Sequence, residues 1–217
     1  MVHRSKFRAA MALGLALLWH GLGIQASDAA ALPKVARVAA VLDGDTIVLK
    51  SGEHVRYLGI DAPELSHQSE PGDCYGEQAR DANRNWVMGR TIRLEYGREK
   101  RDGHGRLLAY VFLPDGTCVN AALLKEGFAW LHIPPNGISR GAQFSHAQRE
   151  ALQQRRGMWT ACTFQEESSY LAHRFSLIFH RPDCPWAEKI PYRHRMTWTS
   201  RWQALEEGFR PCRRCKP

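Results

Sequence analysis

Apolar and polar residues change their spacing several times along the chain, and each change marks an element. Residues 35–42 are rich in Val and Ala and stop at Asp43-Gly44, a tight-turn signal. Residues 46–49 continue extended, and Ser51-Gly52 turns the chain again. Over residues 54–60 the side chains alternate, with Val55, Tyr57 and Gly59 on one side and Arg56, Leu58 and Ile60 on the other. Residues 91–96 and 107–113 read as two further strands, the second closed by Asp115-Gly116. Between the early and late strands, residues 77–88 put Ala79, Ala82 and Trp86 at helical spacing, with Gly89 as the stop. A short helix is predicted over 120–126, ending at Gly127, and a longer one over 145–156, ending at Gly157. Farther on, Ser200 can cap a helix, Gln203 would complete a capping box, and Gly208 ends it. About five strands with helices between and after them predict the α+β class, as a small barrel or a compact α+β domain.

Composition narrows the picture only a little. The chain has 217 residues, 44% hydrophobic and 24% charged, which excludes a disordered or fibrous chain. The net charge of +8 points to an anionic partner such as nucleic acid or a membrane surface. Arg4, Lys6 and Arg8, the apolar run of residues 9–22 and small residues at 26–31 follow the order of a signal peptide. The run is short of the ~20 residues that span a bilayer, so no stable membrane insertion is expected. The expectation is a signal peptide over 1–31, cleaved near residues 29–31, and export to the periplasm or the extracellular space. Thiols would then meet an oxidising compartment. Residues 32–162 carry 17 basic and 15 acidic residues, whereas residues 163–217 carry 10 and 6, so the excess lies late in the chain. The polar stretch 163–169 is the natural linker between these parts.

Four acidic residues cluster at two strand ends: Asp43 and Asp45 around Gly44, then Asp61 and Glu64 around Ala62-Pro63. Carboxylates with a free backbone carbonyl nearby suit a hard cation, which prefers oxygen ligands. Arg56 lies in the strand leading to Asp61, and Arg106 follows the turn Asp102-Gly103-His104-Gly105. A guanidinium donates two parallel hydrogen bonds to a phosphate. A cation, a carboxylate base and two guanidinium groups are the parts needed to cleave a phosphodiester. Singly these signals are weak, because an Asp or Arg at a strand end is most often a solvated rim residue.

Their order makes them specific. Val41-Leu42-Asp43-Gly44-Asp45-Thr46, Val55 through Glu64, Tyr75-Gly76, Asp102 through Tyr110 and Val119-Asn120-Ala121-Ala122-Leu123 resemble the staphylococcal nuclease (thermonuclease) family across residues 35–162. The resemblance implies a five-stranded barrel of the oligonucleotide-binding (OB) type with about three helices. It implies that Asp45, Asp61 and the backbone carbonyl of Ala62 bind Ca²⁺, with Asp43 reaching it through water. It implies that Glu64 accepts a proton from the attacking water and that Arg56 and Arg106 grip the scissile phosphate. Members cleave DNA or RNA on the 5′ side of the phosphate and leave 3′-phosphates. Gly103 and His104 stand where a Lys and a Tyr are familiar, which affects affinity and base preference. The rival reading is a non-catalytic nucleic-acid-binding protein on the same fold. Either way a monomer is expected.

Six cysteines fall into two sets. In the second, His180, Cys184, Cys212 and Cys215 supply one nitrogen and three sulfurs, the ligand set of a closed tetrahedral Zn²⁺ site. A disulfide within the CxxC, or from Cys184 to Cys212 or Cys215, is the alternative. About 50 residues bury little core, so a staple is expected. The stretches 179–184 and 208–217 resemble the metal-binding domain of Ada-type DNA-repair proteins, although His180 replaces the methyl-accepting Cys of that family. Metal binding and weak DNA contact are therefore implied, and phosphotriester repair is not. The expected domains are 32–162, nuclease, and 163–217, a small zinc-binding α+β module. In the first cysteine set, a Cys74–Cys162 disulfide would close the nuclease domain on itself, leaving Cys118 as a buried thiol. Connectivity stays open at this stage. Trp130, Trp159 and Trp186 are read as core residues, with base stacking as the alternative.

Overall fold

A computed structural model describes residues 31–67 and 71–217. Residues 1–30 of the predicted export segment therefore lie outside the described residues. Five strands close into a barrel: β1 (Val35–Val41), β2 (Thr46–Leu49), β3 (His54–Tyr57), β5 (Thr91–Arg101) and β6 (Leu107–Phe112). Their order is β1-β2-β3-β6-β5, with β5 returning to pair with β1. Only β3 and β6 run parallel; the other pairs are antiparallel. The fold is thus α+β on a mixed five-stranded barrel. Alternate positions put Ile47, Leu49, Val55, Leu107, Ala109 and Val111 fully inside, as a small barrel filled by side chains requires, while Tyr110 and Phe112 of β6 are buried under the helices.

The strand expected over residues 54–60 is instead two elements. It ends at Tyr57, and the short β4 (Ile60–Asp61) leaves the barrel to pair with β7 (Trp130–Leu131). Gly59 causes the break: its φ is +81°, and a Cβ there would lie 2.7 Å from Ile138 Cδ1 and Phe144 Cε2. Buried Asn120 ties the chain just after the break to β6, donating to the Leu58 carbonyl (2.8 Å) and accepting from the Val111 amide (2.9 Å). The strand predicted over 91–96 runs on to Arg101, because β6 pairs with it through a register shift between Tyr96 and Arg101.

Three main helices pack on the barrel: α1 (Gly76–Val87), α2 (Val119–Lys125) and α3 (Gly141–Gln153). The last starts four residues before the predicted 145, so that Phe144, fully buried, lies on its inner face. A single turn, α4 (Met158–Ala161), follows it. Cys162, just after α4, is disulfide-bonded to Cys74, just before α1. Cys118 is a buried free thiol.

The C-terminal part has a four-stranded sheet in the order β10-β8-β9-β11, made of β8 (Tyr170–His173), β9 (Ile178–His180), β10 (Arg195–Trp198) and β11 (Arg210–Pro211). Two short helices, α5 (Pro185–Glu188) and α6 (Arg201–Glu206), flank it. The cap of α6 forms, but Ser200 Oγ accepts from the Trp202 amide (3.2 Å) rather than from that of Gln203.

This part does not stand apart from the barrel. Ala151, Leu152, Met158 and Trp159 share one hydrophobic cluster with Tyr170, Phe179, Trp198, Leu205 and Phe209. Buried Gln148 of α3 bridges the two halves, accepting from the Leu131 amide and donating to the Leu205 carbonyl, both at 2.7 Å. The presumed linker 163–169 is packed down. Arg201 Cζ sits 3.6 Å above the Phe164 ring, and Glu167 pairs with Arg181 at 3.4 Å. A small module that cannot build a core alone has borrowed one.

Candidate nuclease site and His/Cys cluster

Both acidic turns lie at one rim of the barrel, and a missing side chain brings them together. A Cβ on Gly44 would stand 2.6 Å from Ala62 Cβ and 2.8 Å from Ala79 Cβ, so only glycine lets the Asp43–Asp45 turn rest there. The Ala62 amide then donates to Asp45 Oδ2 at 2.6 Å, and the Asp45 amide donates to Asp43 Oδ1 at 2.9 Å. Buried Asn83 fixes the same turn from α1, donating to the Asp43 carbonyl and accepting from the Tyr57 hydroxyl.

Asp45 and Asp61 are each only 4% exposed. Arg56 reaches both, with Nη1 3.0 Å from Asp45 Oδ2 and Nη2 2.7 Å from Asp61 Oδ1. Burial foremost, with Asp43 and Asp61 nearby, pushes the Asp45 carboxyl up to about 7, against the pull of Arg56. Burial would also raise Asp61, but Arg56, Arg213 and Arg210 outweigh it and hold that carboxyl below its ordinary range. These groups line a cleft of about 880 Å³ together with Asp43, Glu64 and Arg106. Arg106 lies in the same cleft but away from the carboxylates, its Nε 2.7 Å from Asp102 Oδ2. The structure thus brings Asp43, Asp45, Arg56, Asp61, Ala62 and Glu64 to one place and puts Arg106 on the wall of the same cleft, paired with Asp102.

Two members of the cleft escaped the sequence reading. Arg213, between the two cysteines of the CxxC, pairs with both Asp61 and Glu64. Arg210 Nη1 lies 3.5 Å from Asp61 Oδ2, while its Nε is buried with no partner among the described residues. A CxxC with Arg at both inner positions looks like a generic basic tail. The packing of α3 on α6 and the Lys216 Nζ–Asp73 Oδ1 pair (2.6 Å) bring it to the barrel.

The donor set of the two acidic turns is all oxygen and suits a hard cation. His180, Cys184, Cys212 and Cys215 form the second set: their ligand atoms all lie within 4.8 Å of one another, and it is the one such His/Cys/Asp/Glu group found among the described residues. Parallel pairing of β11 with β9 brings Cys212 beside His180, with the Cys212 amide donating to the Phe179 carbonyl at 2.9 Å. Cys184, Cys212 and Cys215 are free thiols. Burial foremost, with Cys184 and Cys212 adding to it, pushes Cys215 up to about 12. One nitrogen and three sulfurs at this spacing fit a tetrahedral soft-ligand site. Of the tryptophans, Trp159 is core, whereas Trp186 is 51% exposed under Lys189 Nζ at 4.8 Å, contrary to the core reading.

A closed barrel whose acidic turns and arginines meet in one cleft, followed by a His/Cys knuckle, defines a hydrolase of the nuclease class joined to a metal-binding module. The chain belongs to the staphylococcal nuclease family: residues 54–161 match the model "Staphylococcal nuclease homologue", and residues 157–217 match "Metal binding domain of Ada". It is 40% identical over 126 residues to a thermonuclease of Staphylococcus intermedius, covering 56% of this chain and 74% of that protein. A thermonuclease of Staphylococcus hyicus is 32% identical over 127 residues, 57% of this chain and 75% of its own length. Endonuclease YncB of Bacillus subtilis is 35% identical over 138 residues, 61% of this chain and 62% of its own.

Proposed function

We propose that the protein is an exported, calcium-dependent nuclease that hydrolyses DNA and/or RNA on the 5′ side of the phosphate, leaving 3′-phosphates. The observation that carries this reading is the convergence of Asp45, Asp61, Ala62, Glu64 and Arg56 at one rim of the barrel. Asp45, Asp61 and the Ala62 carbonyl would hold Ca²⁺, with Asp43 behind them. Bound there, Ca²⁺ supplies Lewis acidity to a phosphoryl oxygen. The other parts belong to the chain itself. Arg56 and Arg106 donate to the phosphate oxygens and stabilise the charge that grows on them. Glu64 accepts a proton from the attacking water as the bond from phosphorus to the 5′ oxygen breaks, and the departing 5′ oxygen takes up a proton from solvent to leave as a hydroxyl. The protein divides functionally into a nuclease part, 32–162, and a Zn²⁺-binding part, 163–217, that helps hold the substrate.

Export is supported by the basic–apolar–small order of residues 4–31 and by the Cys74–Cys162 bond, which an oxidising compartment maintains. Cleavage of single-stranded DNA and RNA with calcium, against the same assay with chelator, tests the activity. Wild type should cut only with calcium, and Arg56→Ala or Glu64→Gln should cut about 10²–10³ times more slowly. Intact nucleic acid with calcium present would sink the reading. The zinc assignment expects one Zn²⁺ per chain by metal analysis, lost in Cys212→Ser.

A further inference from the structure

Arg213 belongs by sequence to the metal-binding module and by contact to the nuclease cleft. Its Nε lies 3.2 Å from Asp61 Oδ2, its terminal nitrogens pair with Asp61 and Glu64, and half of its side chain remains exposed. Asp61 is the carboxylate assigned to the cation, and Glu64 is the assigned base. One guanidinium therefore engages both groups at once.

The backbone beneath it is anchored on three sides. The Cys212 amide donates to the Phe179 carbonyl and the Lys216 amide to the Cys212 carbonyl, both at 2.9 Å. Lys216 Nζ reaches across to Asp73 Oδ1 at 2.6 Å, and the Arg181 amide donates to Cys215 Sγ at 3.4 Å. The side chain can swing, but its root stays beside the cleft. A charge tethered in this way acts at a high effective concentration that dilution cannot lower.

We infer that Arg213 is an intramolecular competitor of the divalent cation, holding Asp61 and Glu64 until calcium displaces it. The cation affinity of the nuclease site is then set partly from the C-terminal module, through the loop that Cys212 and Cys215 delimit. Arg56 differs in kind: it is largely buried, bonded also to the Tyr57 and Ile60 carbonyls, and built into the barrel. Arg213 is the contact that can leave.

This inference rests on the assignment of Asp45 and Asp61 as cation ligands, and the test separates the two. Calcium binding to the full-length, zinc-loaded protein is measured by calorimetry for wild type, Arg213→Gln, Arg213→Lys and Asp61→Asn. Arg213→Gln should bind calcium about tenfold more tightly, equivalent to ~1.4 kcal/mol. Arg213→Lys should fall between, since an ammonium lacks the fork that spans two carboxylates. Binding lost in Asp61→Asn but unchanged or weaker in Arg213→Gln overturns the inference and leaves the cation site standing. No calcium binding in wild type or Arg213→Gln overturns both. Should Arg213→Gln lose its zinc or its cooperative melt, the wild type decides: calcium must shift the side-chain Nε–H resonance of Arg213, and an unmoved signal refutes the competition.

Discussion

The carboxylate cluster and the His/Cys cluster of this molecule are assembled on opposite principles. Four potential ligands of the second lie within 4.8 Å of one another with no counter-charge among them. Burial raises the Cys215 thiol and lowers the His180 imidazole, in both cases favouring the neutral form. Carboxylates cannot be gathered so freely. Asp45 and Asp61 share Arg56, and Asp61 also meets Arg210 and Arg213. The His/Cys cluster therefore gathers without a charged partner among its members, whereas the carboxylate cluster is held among arginines.

The strongest attempt to break this contrast is Asp61→Asn. It should slow calcium-dependent cleavage by about 10³-fold, while zinc analysis still finds one ion per chain. Loss of zinc in that variant would mean that the two sites are not separable. Phe209→Ala addresses the opposite point, the core shared by the two halves. Phe209 is 4% exposed and packs tilted against Trp198 with ring centroids 4.6 Å apart. Its truncation should cost about 3–5 kcal/mol, and calorimetry should record one lowered transition for the whole molecule. Two separate transitions would show independent halves.

The smallest effect is electrostatic. Burial, then Arg210, lowers the half-buried His132 at the edge of the ionic network to about 4, against the pull of Asp61. Its folded pKa is below its unfolded value near 6.5, so its contribution to stability is complete above that pH. The contribution is lost as pH falls from about 6.5 to 4, amounting to about 2 kcal/mol after solvent screening. Asp45, raised to about 7, works in the opposite sense over the same range, so the His132 contribution is read as a difference: in urea unfolding the wild type should lose stability relative to His132→Gln as pH falls from about 6.5 to 4. Parallel pH profiles in the two proteins would assign the effect to other groups.

Much of the barrel was legible because its strands alternate and end at Asp-Gly or Ser-Gly turns. Residues 46–49 form a strand with the bounds their pattern predicts. The break at Gly59 was hidden, since Gly59 fits the alternation and the side chains that leave no room for a Cβ there, Ile138 and Phe144, lie far along the chain. The acidic turns were legible as a motif, but Asn83 and Asn120, which hold the turns and strand ends from helices, look like ordinary helical polar residues. Arg210 and Arg213 were hidden for a further reason. Charge arithmetic placed an excess in the last 55 residues, but no local pattern says that two of those arginines point inward to a carboxylate. That fact follows from the shared core around Leu152, Leu205 and Phe209.

The Cys74–Cys162 bond has a topological consequence. It makes a covalent ring of the chain between them, a sequence separation of 88, and leaves two free arms. Asp45, Arg56, Asp61 and Glu64 sit on the leading arm, Arg106 on the ring, and Arg210 and Arg213 on the trailing arm. An unfolded chain that keeps the bond still has its ring but none of its cleft, which exists only when both arms have closed over it. Recovery of the cleft's ion pairs during refolding is thus a clock for the last docking event rather than for ring closure.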